Sequence, residues 1–99
     1  MTAHARNRLN ADFSNPVRLS IMGSLNTVEE ADFKTLRDAL GISDSVLSRH
    51  LSALEDKGYV KIRKGFVGKR PRTWAKLSPE GRVAFTDHVQ ALKEITGLA

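Results

Sequence analysis

The chain has 99 residues, of which 40% are hydrophobic and 27% are charged, a composition typical of one folded domain with a single core. Its 16 Lys and Arg exceed its 11 Asp and Glu, and the formal net charge of +5 suits a polyanionic partner. The absence of Cys excludes disulfides and thiolate metal sites, and no apolar run is long enough to cross a membrane.

The first half of the chain predicts three helices and one very short strand. Asn15 followed by Pro16 is typical of a helix start, and we expect this helix to reach about residue 25. A strand over 31–33 and a helix over 34–40 should follow, and Gly41 is typical of a helix stop. A turn of about three residues then leads to the next helix, which is the spacing of a helix-turn-helix.

The third helix is predicted over 44–57, with Ser43 as its cap and Gly58 as its stop. Three leucines recur on one face at helical spacing and should point to the core, namely Leu47, Leu51 and Leu54. The opposite face carries short polar groups and one long cation, on Ser45, Ser48, Arg49 and Ser52. This helix is therefore anchored on one side and polar on the other.

A basic hairpin and a last helix complete the chain. Residues 59–64 alternate outward cations with inward apolar side chains, and residues 73–77 can supply an antiparallel partner strand. Residues 65–72 are too many for a tight turn and too basic for burial, so we expect a flexible, positive loop there. The last helix should begin after Ser78 and run to about Thr96.

This order of elements predicts a mainly α fold with a small antiparallel β-hairpin, an α+β winged helix-turn-helix domain. We expect residues 1–99 to form a single DNA-binding domain. Within it, residues 1–14 are an N-terminal arm or helix, residues 15–77 are the winged helix core, and residues 78–99 are a C-terminal helix suited to dimerisation.

The pattern of charge indicates double-stranded DNA as the partner. Eight of the 16 cations lie within residues 57–76, where no Asp or Glu occurs. A helix fits the major groove, where Arg reads guanine and Ser contacts bases or phosphates, while cations of a hairpin can follow the backbone or enter the minor groove. The predicted DNA-binding residues are Ser43, Asp44, Ser45, Ser48, Arg49, Ser52, Lys64, Lys69, Arg70 and Arg72.

Four stretches carry a resemblance to a known family: NPVRLSIM, GISDSVLSRHLSALEDKGYVKIRK, GFVGKRPRTW and LSPEGRVAF. They cover about residues 15–95 and resemble the winged helix regulators of the MarR and ArsR superfamily, in particular its short winged helix DNA-binding family. The resemblance implies a transcriptional regulator that binds a roughly palindromic site as a homodimer. Apolar residues near both ends of the chain predict the dimer surface: Leu9, Phe13, Phe85, Val89 and Leu92.

Other functions receive little support from the residues. No nucleophile, base and acid are placed by any motif, the three His are scattered, and no phosphate loop occurs, so we expect neither an enzyme nor a metal or cofactor. The chain lacks the cysteine metal motif of ArsR proteins and the long extra helices of MarR proteins, which leaves a small-molecule effector undetermined. The N-terminus lacks the apolar stretch of a secretory signal, which predicts a cytoplasmic protein.

Two alternatives to sequence-specific binding stay open. One is a winged helix adaptor whose basic hairpin faces an acidic protein, and the other is a non-specific architectural DNA binder.

Overall fold

The computed structural model describes residues 3–98, so residues 1 and 2 of the predicted arm and residue 99 of the predicted last helix lie outside the described residues. Within residues 3–98 the fold consists of four α-helices and three strands, and the predicted winged helix α+β class is confirmed. Two short 3-10 helices, Ala5–Arg8 and Ala11–Phe13, come first. They are followed by α1 (Pro16–Asn26), β1 (Ala31–Asp32), α2 (Phe33–Leu40), α3 (Asp44–Asp56), β2 (Val60–Val67), β3 (Arg70–Leu77) and α4 (Pro79–Thr96).

The helix ends follow from local side-chain chemistry. The side chain of Asn15 accepts hydrogen bonds from the first backbone N–H groups of α1, and Ser43 and Ser78 do the same for α3 and α4. Gly41 closes α2 with a φ of +64°, a left-handed conformation that glycine adopts without steric cost. The predicted caps at these positions are confirmed.

The hydrophobic core lies where all four helices meet the sheet. The three leucines of α3 are fully or almost fully buried, as their spacing predicts. Ile21, Met22 and Leu25 of α1 pack in the same cluster. Burial of a Leu side chain contributes about 1.5–3 kcal/mol, so the inner face of α3 fixes the orientation of its outer face.

The sheet is antiparallel with the strand order β1-β3-β2, and β2 and β3 form a long hairpin that we call the wing (residues 60–77). The two strands pair from Val60 opposite Leu77 to Val67 opposite Arg70. Only Gly68 and Lys69 remain for the turn, and the φ of Gly68 is +64°, as in two-residue hairpin turns. The prediction of a flexible loop over 65–72 was therefore wrong.

Gly65 and Pro71 fit within the strands for local reasons. A Cβ at Gly65 would lie 3.2 Å from the Trp74 ring, so the glycine admits the neighbouring aromatic side chain. Pro71 lies beyond the short β1, which pairs only with Trp74 and Ala75 of β3. At Pro71 one edge of β3 is free, and a missing N–H can be tolerated there.

The N-terminal segment packs into the core of its own chain. Phe13 is fully buried, with its ring centroid 5.1 Å from that of Tyr59, 5.5 Å from His88 and 6.2 Å from Phe85. Phe85 is itself buried on α4. The prediction of Phe13 and Phe85 as dimer-surface residues was wrong, because both side chains are used inside the protomer.

The buried face of α4 holds two apolar side chains, one His and one Gly. Gly81, Phe85, His88 and Ala91 face inward, whereas Thr96 is exposed. The imidazole Nδ1 of His88 accepts a hydrogen bond of 2.9 Å from the backbone N–H of Asn10. His88 is therefore part of the joint between α4 and the N-terminal segment, which an Arg8–Glu94 ion pair also bridges.

We expect the free energy of unfolding to fall as the pH is lowered from about 7.5 to about 5.5. Burial lowers the pKa of His88 below its ordinary 6.5. As the pH falls, His88 therefore binds a proton in the unfolded chain before it does so in the folded chain. The stability that is present above pH 6.5 is lost as the pH falls from 6.5 to the folded-state pKa. Urea unfolding at both pH values tests this. His88→Gln should make the dependence less steep without abolishing it, because burial also lowers the pKa of His50. An equally steep dependence in the variant would contradict the assignment to His88.

Candidate nucleic-acid interface

The outer face of α3 is an exposed polar surface held by a buried apolar one. Ser45, Ser48, Arg49 and Ser52 are all exposed, as predicted from the helical repeat. The buried leucines of the core lie on the opposite face of the same helix. This face is presented rigidly to solvent beside α2, in the arrangement of a helix-turn-helix.

Paired charges surround the N-terminus of α3. The Oδ1 of Asp44 accepts a hydrogen bond of 2.7 Å from Nη1 of Arg37, and Arg37 also donates to Asp38. These hydrogen bonds, first that of Asp44 and then that of Asp38, raise the pKa of Arg37. The carboxylate of Asp44 thus has a counter-charge within α2, which reduces its repulsion of a nearby phosphate. The hydroxyl of Ser43 caps the helix through the N–H of Val46 at 3.2 Å.

A groove of about 810 Å³ separates α3 from the wing. Its α3 wall includes Ser45, Ser48 and Ser52, and its wing wall includes Lys64 and Thr73. Three of the predicted serine contacts and one predicted wing cation therefore line the same space.

The other predicted wing cations lie elsewhere. Side chains alternate between the two faces of a strand, so Arg70 and Arg72 lie on the face opposite Lys64, while Lys69 lies in the turn. All three are exposed at or near the outer end of the wing. Their predicted DNA contacts stay predictions.

The face of the wing away from α3 is tied to the body by charged contacts. The guanidinium of Arg63 lies 3.8 Å from the centroid of the Trp74 ring and donates to Glu30 at 2.7 Å. This hydrogen bond raises the pKa of Arg63 and lowers that of Glu30. Arg72 also lies 3.4 Å from Asp32 of β1. Trp74 is accordingly a packing residue. Two of the wing's cations form ion pairs with carboxylates outside the wing.

The end of the wing is more apolar than its charge suggests. Phe66 is 71% exposed and Val67 is 47% exposed, next to the turn. Both residues fall within the loop predicted from the sequence, where they have no assigned role. Their place on the paired strand beside the turn puts apolar surface among the cations near the outer end of the wing.

A contact between α1 and α3 was also missed by sequence reasoning. The Nε of Arg18 donates a hydrogen bond of 3.1 Å to Nδ1 of the buried His50. Burial, then the nearby charges of Arg18 and Arg49, lowers the pKa of His50. The helical repeat puts His50 at the border of the buried face of α3, but only the packing of α1 shows which side chain meets it.

None of the helices within residues 3–98 is both long enough and apolar enough to span a lipid bilayer.

The sequence profile of the winged helix DNA-binding domain matches residues 17–96, which include the helix-turn-helix, the wing and the whole of α4. The chain belongs to the winged helix DNA-binding domain family. This winged helix protein is 31% identical over 84 residues to an uncharacterized protein of Methanocaldococcus jannaschii, a match that covers 85% of this chain and 91% of the relative.

Solved structures share the fold of this winged helix protein. A transcriptional regulator homologue from Pyrococcus horikoshii OT3 is similar with a TM-score of 0.86 and 27% identity, over 95% of this chain and 94% of that one. A mutant of MarR from E. coli has a TM-score of 0.74 and 20% identity, over 94% of this chain and 71% of MarR. The predicted resemblance to winged helix DNA-binding regulators is confirmed by the family match and by the Pyrococcus horikoshii structure, and the likeness to MarR is one of fold. The family and the fold are those of DNA-binding transcriptional regulators.

Proposed function

We propose that this winged helix protein regulates transcription by binding specific sequences of double-stranded DNA. The observation that carries the proposal is the placement of an exposed Ser and Arg face on α3 beside a wing that contains no acidic residue. In this proposal α3 enters the major groove, and the wing follows the phosphate backbone or enters the adjacent minor groove. Such a protein acts on chromosomal DNA, so we expect it in the cytoplasm.

The residues divide between sequence reading and affinity. Arg49 has the geometry to donate two hydrogen bonds to O6 and N7 of guanine, which discriminates against other bases by about 1–3 kcal/mol. The exposed hydroxyls of Ser45, Ser48 and Ser52 contact base edges or phosphates. Lys64, Lys69, Arg70 and Arg72 supply affinity through the backbone.

We propose that the protein binds as a homodimer through α4 and the N-terminal segment. Of the predicted dimer residues, Leu9 stays 37% exposed, and Val89 and Leu92 are partly buried. Val83, Ile95 and Leu98 add exposed apolar surface on and just after α4. A two-fold dimer would place its two α3 helices in successive major grooves, about one helical turn of DNA apart.

Selection of binding sites from random duplex DNA tests both parts of the proposal. We expect the wild type to enrich a two-fold motif with half-sites about 10 base pairs apart. Arg49→Ala should lose the preference for one base pair in each half-site, because the bidentate contact to guanine is removed. Arg82→Ala is the matched control, since Arg82 is an exposed cation of α4 whose Nη1 donates to the backbone oxygen of Asn26.

The other outcomes separate the alternatives. Weak, salt-sensitive binding to every duplex without enrichment would favour an architectural DNA binder. No binding to any duplex would contradict the proposal and favour an adaptor that binds an acidic protein. Enrichment that is unchanged in Arg49→Ala would contradict the role of Arg49 alone.

A further inference from the structure

Arg18 and His50 join α1 to α3 beside the proposed DNA surface. Arg18 is half-buried in the first turn of α1, and His50 is buried on α3 directly after the exposed Arg49. Because Nδ1 of His50 accepts the hydrogen bond from Nε of Arg18, this nitrogen carries no proton. The contact uses only one of the five N–H donors of the guanidinium.

The pair lies on the flank of α3 that faces away from the wing. Each residue advances about 100° around a helix, so Ser48, Ser52 and Glu55 share one flank of α3, and these three residues line the groove against the wing. His50 and Ala53 lie on the other flank, and Arg49 lies between His50 and the centre of the outer face. Arg18 therefore extends the polar surface of α3 on the side where the wing cannot reach.

The cations at this flank have no carboxylate partner in the part of the chain that the structure describes. Arg8, Arg37 and Arg63 each have a carboxylate partner. No ion pair of Arg18 or Arg49 with a carboxylate occurs among residues 3–98. Both cations lie close enough to His50 to lower its pKa. Two unpaired guanidiniums beside a neutral imidazole form a local positive site, which an anion would stabilise.

We propose that Arg18 binds a backbone phosphate of the DNA and that His50 is the residue that positions it. With Nε held by His50, the two terminal nitrogens can donate to phosphate oxygens, a geometry that Arg favours. The inference rests on the proposed function and deepens it, since it adds a second anchoring point. In the complex, α3 is then held on the DNA between the wing on one flank and Arg18 on the other.

The salt dependence of DNA binding distinguishes a phosphate contact from a structural role. Arg18→Gln keeps a side chain that can donate to His50 but removes the charge. We expect it to weaken binding roughly tenfold, equally on the selected site and on unrelated duplex, and to reduce the slope of log K against log salt by about 0.9 for each bound protomer. Arg82→Gln removes the same charge from α4 and should leave this slope unchanged.

The positioning role of His50 has its own variants. His50→Leu leaves the charge of Arg18 but removes the acceptor, so we expect the salt slope to persist while affinity falls severalfold. His50→Gln provides an amide oxygen that can accept from Arg18, and it should restore most of the affinity. Urea unfolding of each variant shows how much folded protein is present, so that a loss of binding is not confused with a loss of fold.

Each outcome has a distinct meaning. If Arg18→Gln is destabilised but its salt slope equals that of the wild type, Arg18 only supports the packing of α1 on α3, and the inference is overturned. An unchanged affinity and slope in a fully folded Arg18→Gln would overturn it as well. If the wild type binds no duplex at all, the proposed function itself fails.

Discussion

We expect Gly81→Ala to lower the free energy of unfolding by about 3 kcal/mol, the upper end of the range for overpacking. Gly81 lies in the first turn of α4, where its N–H donates to the Ser78 hydroxyl at 2.9 Å. A Cβ at this position would lie 2.0 Å from the backbone oxygen of Tyr59 and 2.8 Å from its carbonyl carbon. The neighbour is backbone and cannot rotate away. The gain in helix propensity from Ala, about 1 kcal/mol, cannot offset this clash.

Gly23→Ala is the matched control, because Gly23 is also a helical glycine. A Cβ there would meet the Phe85 ring at 3.8 Å, an ordinary van der Waals contact. This variant should be as stable as the wild type or more stable by up to about 1 kcal/mol. Urea unfolding of the two variants measures the difference. Equal stabilities of the two variants would contradict the close contact between Gly81 of α4 and the backbone of Tyr59.

Features that depend on a few neighbouring residues could be predicted from the sequence. The caps at Asn15, Ser43 and Ser78 and the left-handed Gly41 each follow from one turn of chain. The buried leucines of α3 follow from a strong helical repeat. Because the turn between α2 and α3 is also local, the order of residues was enough to predict the helix-turn-helix and its exposed face.

The wing was predicted only in part, because its outer half breaks the usual pattern for strands. Gly65 and Pro71 are residues that normally weaken a strand, and the exposed Phe66 does not follow an inward and outward alternation. What holds these residues in the sheet is the ring of Trp74 against Gly65 and a free strand edge at Pro71. The first condition involves β3 and the second depends on how short β1 is, so neither is visible from the segment alone.

The dimer prediction failed at Phe13 and Phe85 for a related reason. An apolar stripe shows that a helix face is buried but does not show whether the same chain covers it. Here the N-terminal segment covers α4, through the backbone N–H of Asn10 on His88 and the ring of Phe13. The long-range contact of Arg18 with His50 was missed in the same way, because 32 positions separate the two residues.

We expect DNA affinity to fall by about 10³–10⁵ between 50 and 200 mM salt, if a dimer contacts about 6–10 phosphates. The physical reason is the release of counterions from the DNA by Lys and Arg. We propose Lys64, which lines the groove beside α3, and Lys69, which lies in the turn of the wing, as sources of this slope. Lys64→Gln and Lys69→Gln should each reduce the slope by about 0.9 for each bound protomer.

Lys61 and Lys76 provide the control for this prediction. They lie directly opposite each other near the base of the wing, exposed on the face away from α3. Like charges in such a pair repel, so Lys61→Gln should preserve or slightly raise stability while it removes one positive charge. Titration of labelled duplex at several salt concentrations compares the variants. If Lys61→Gln reduces the slope as much as Lys64→Gln does, the net charge of the protein determines binding, and the position of the cations on the wing does not. A smaller effect of Lys61→Gln means that the DNA lies along the α3 side of the wing.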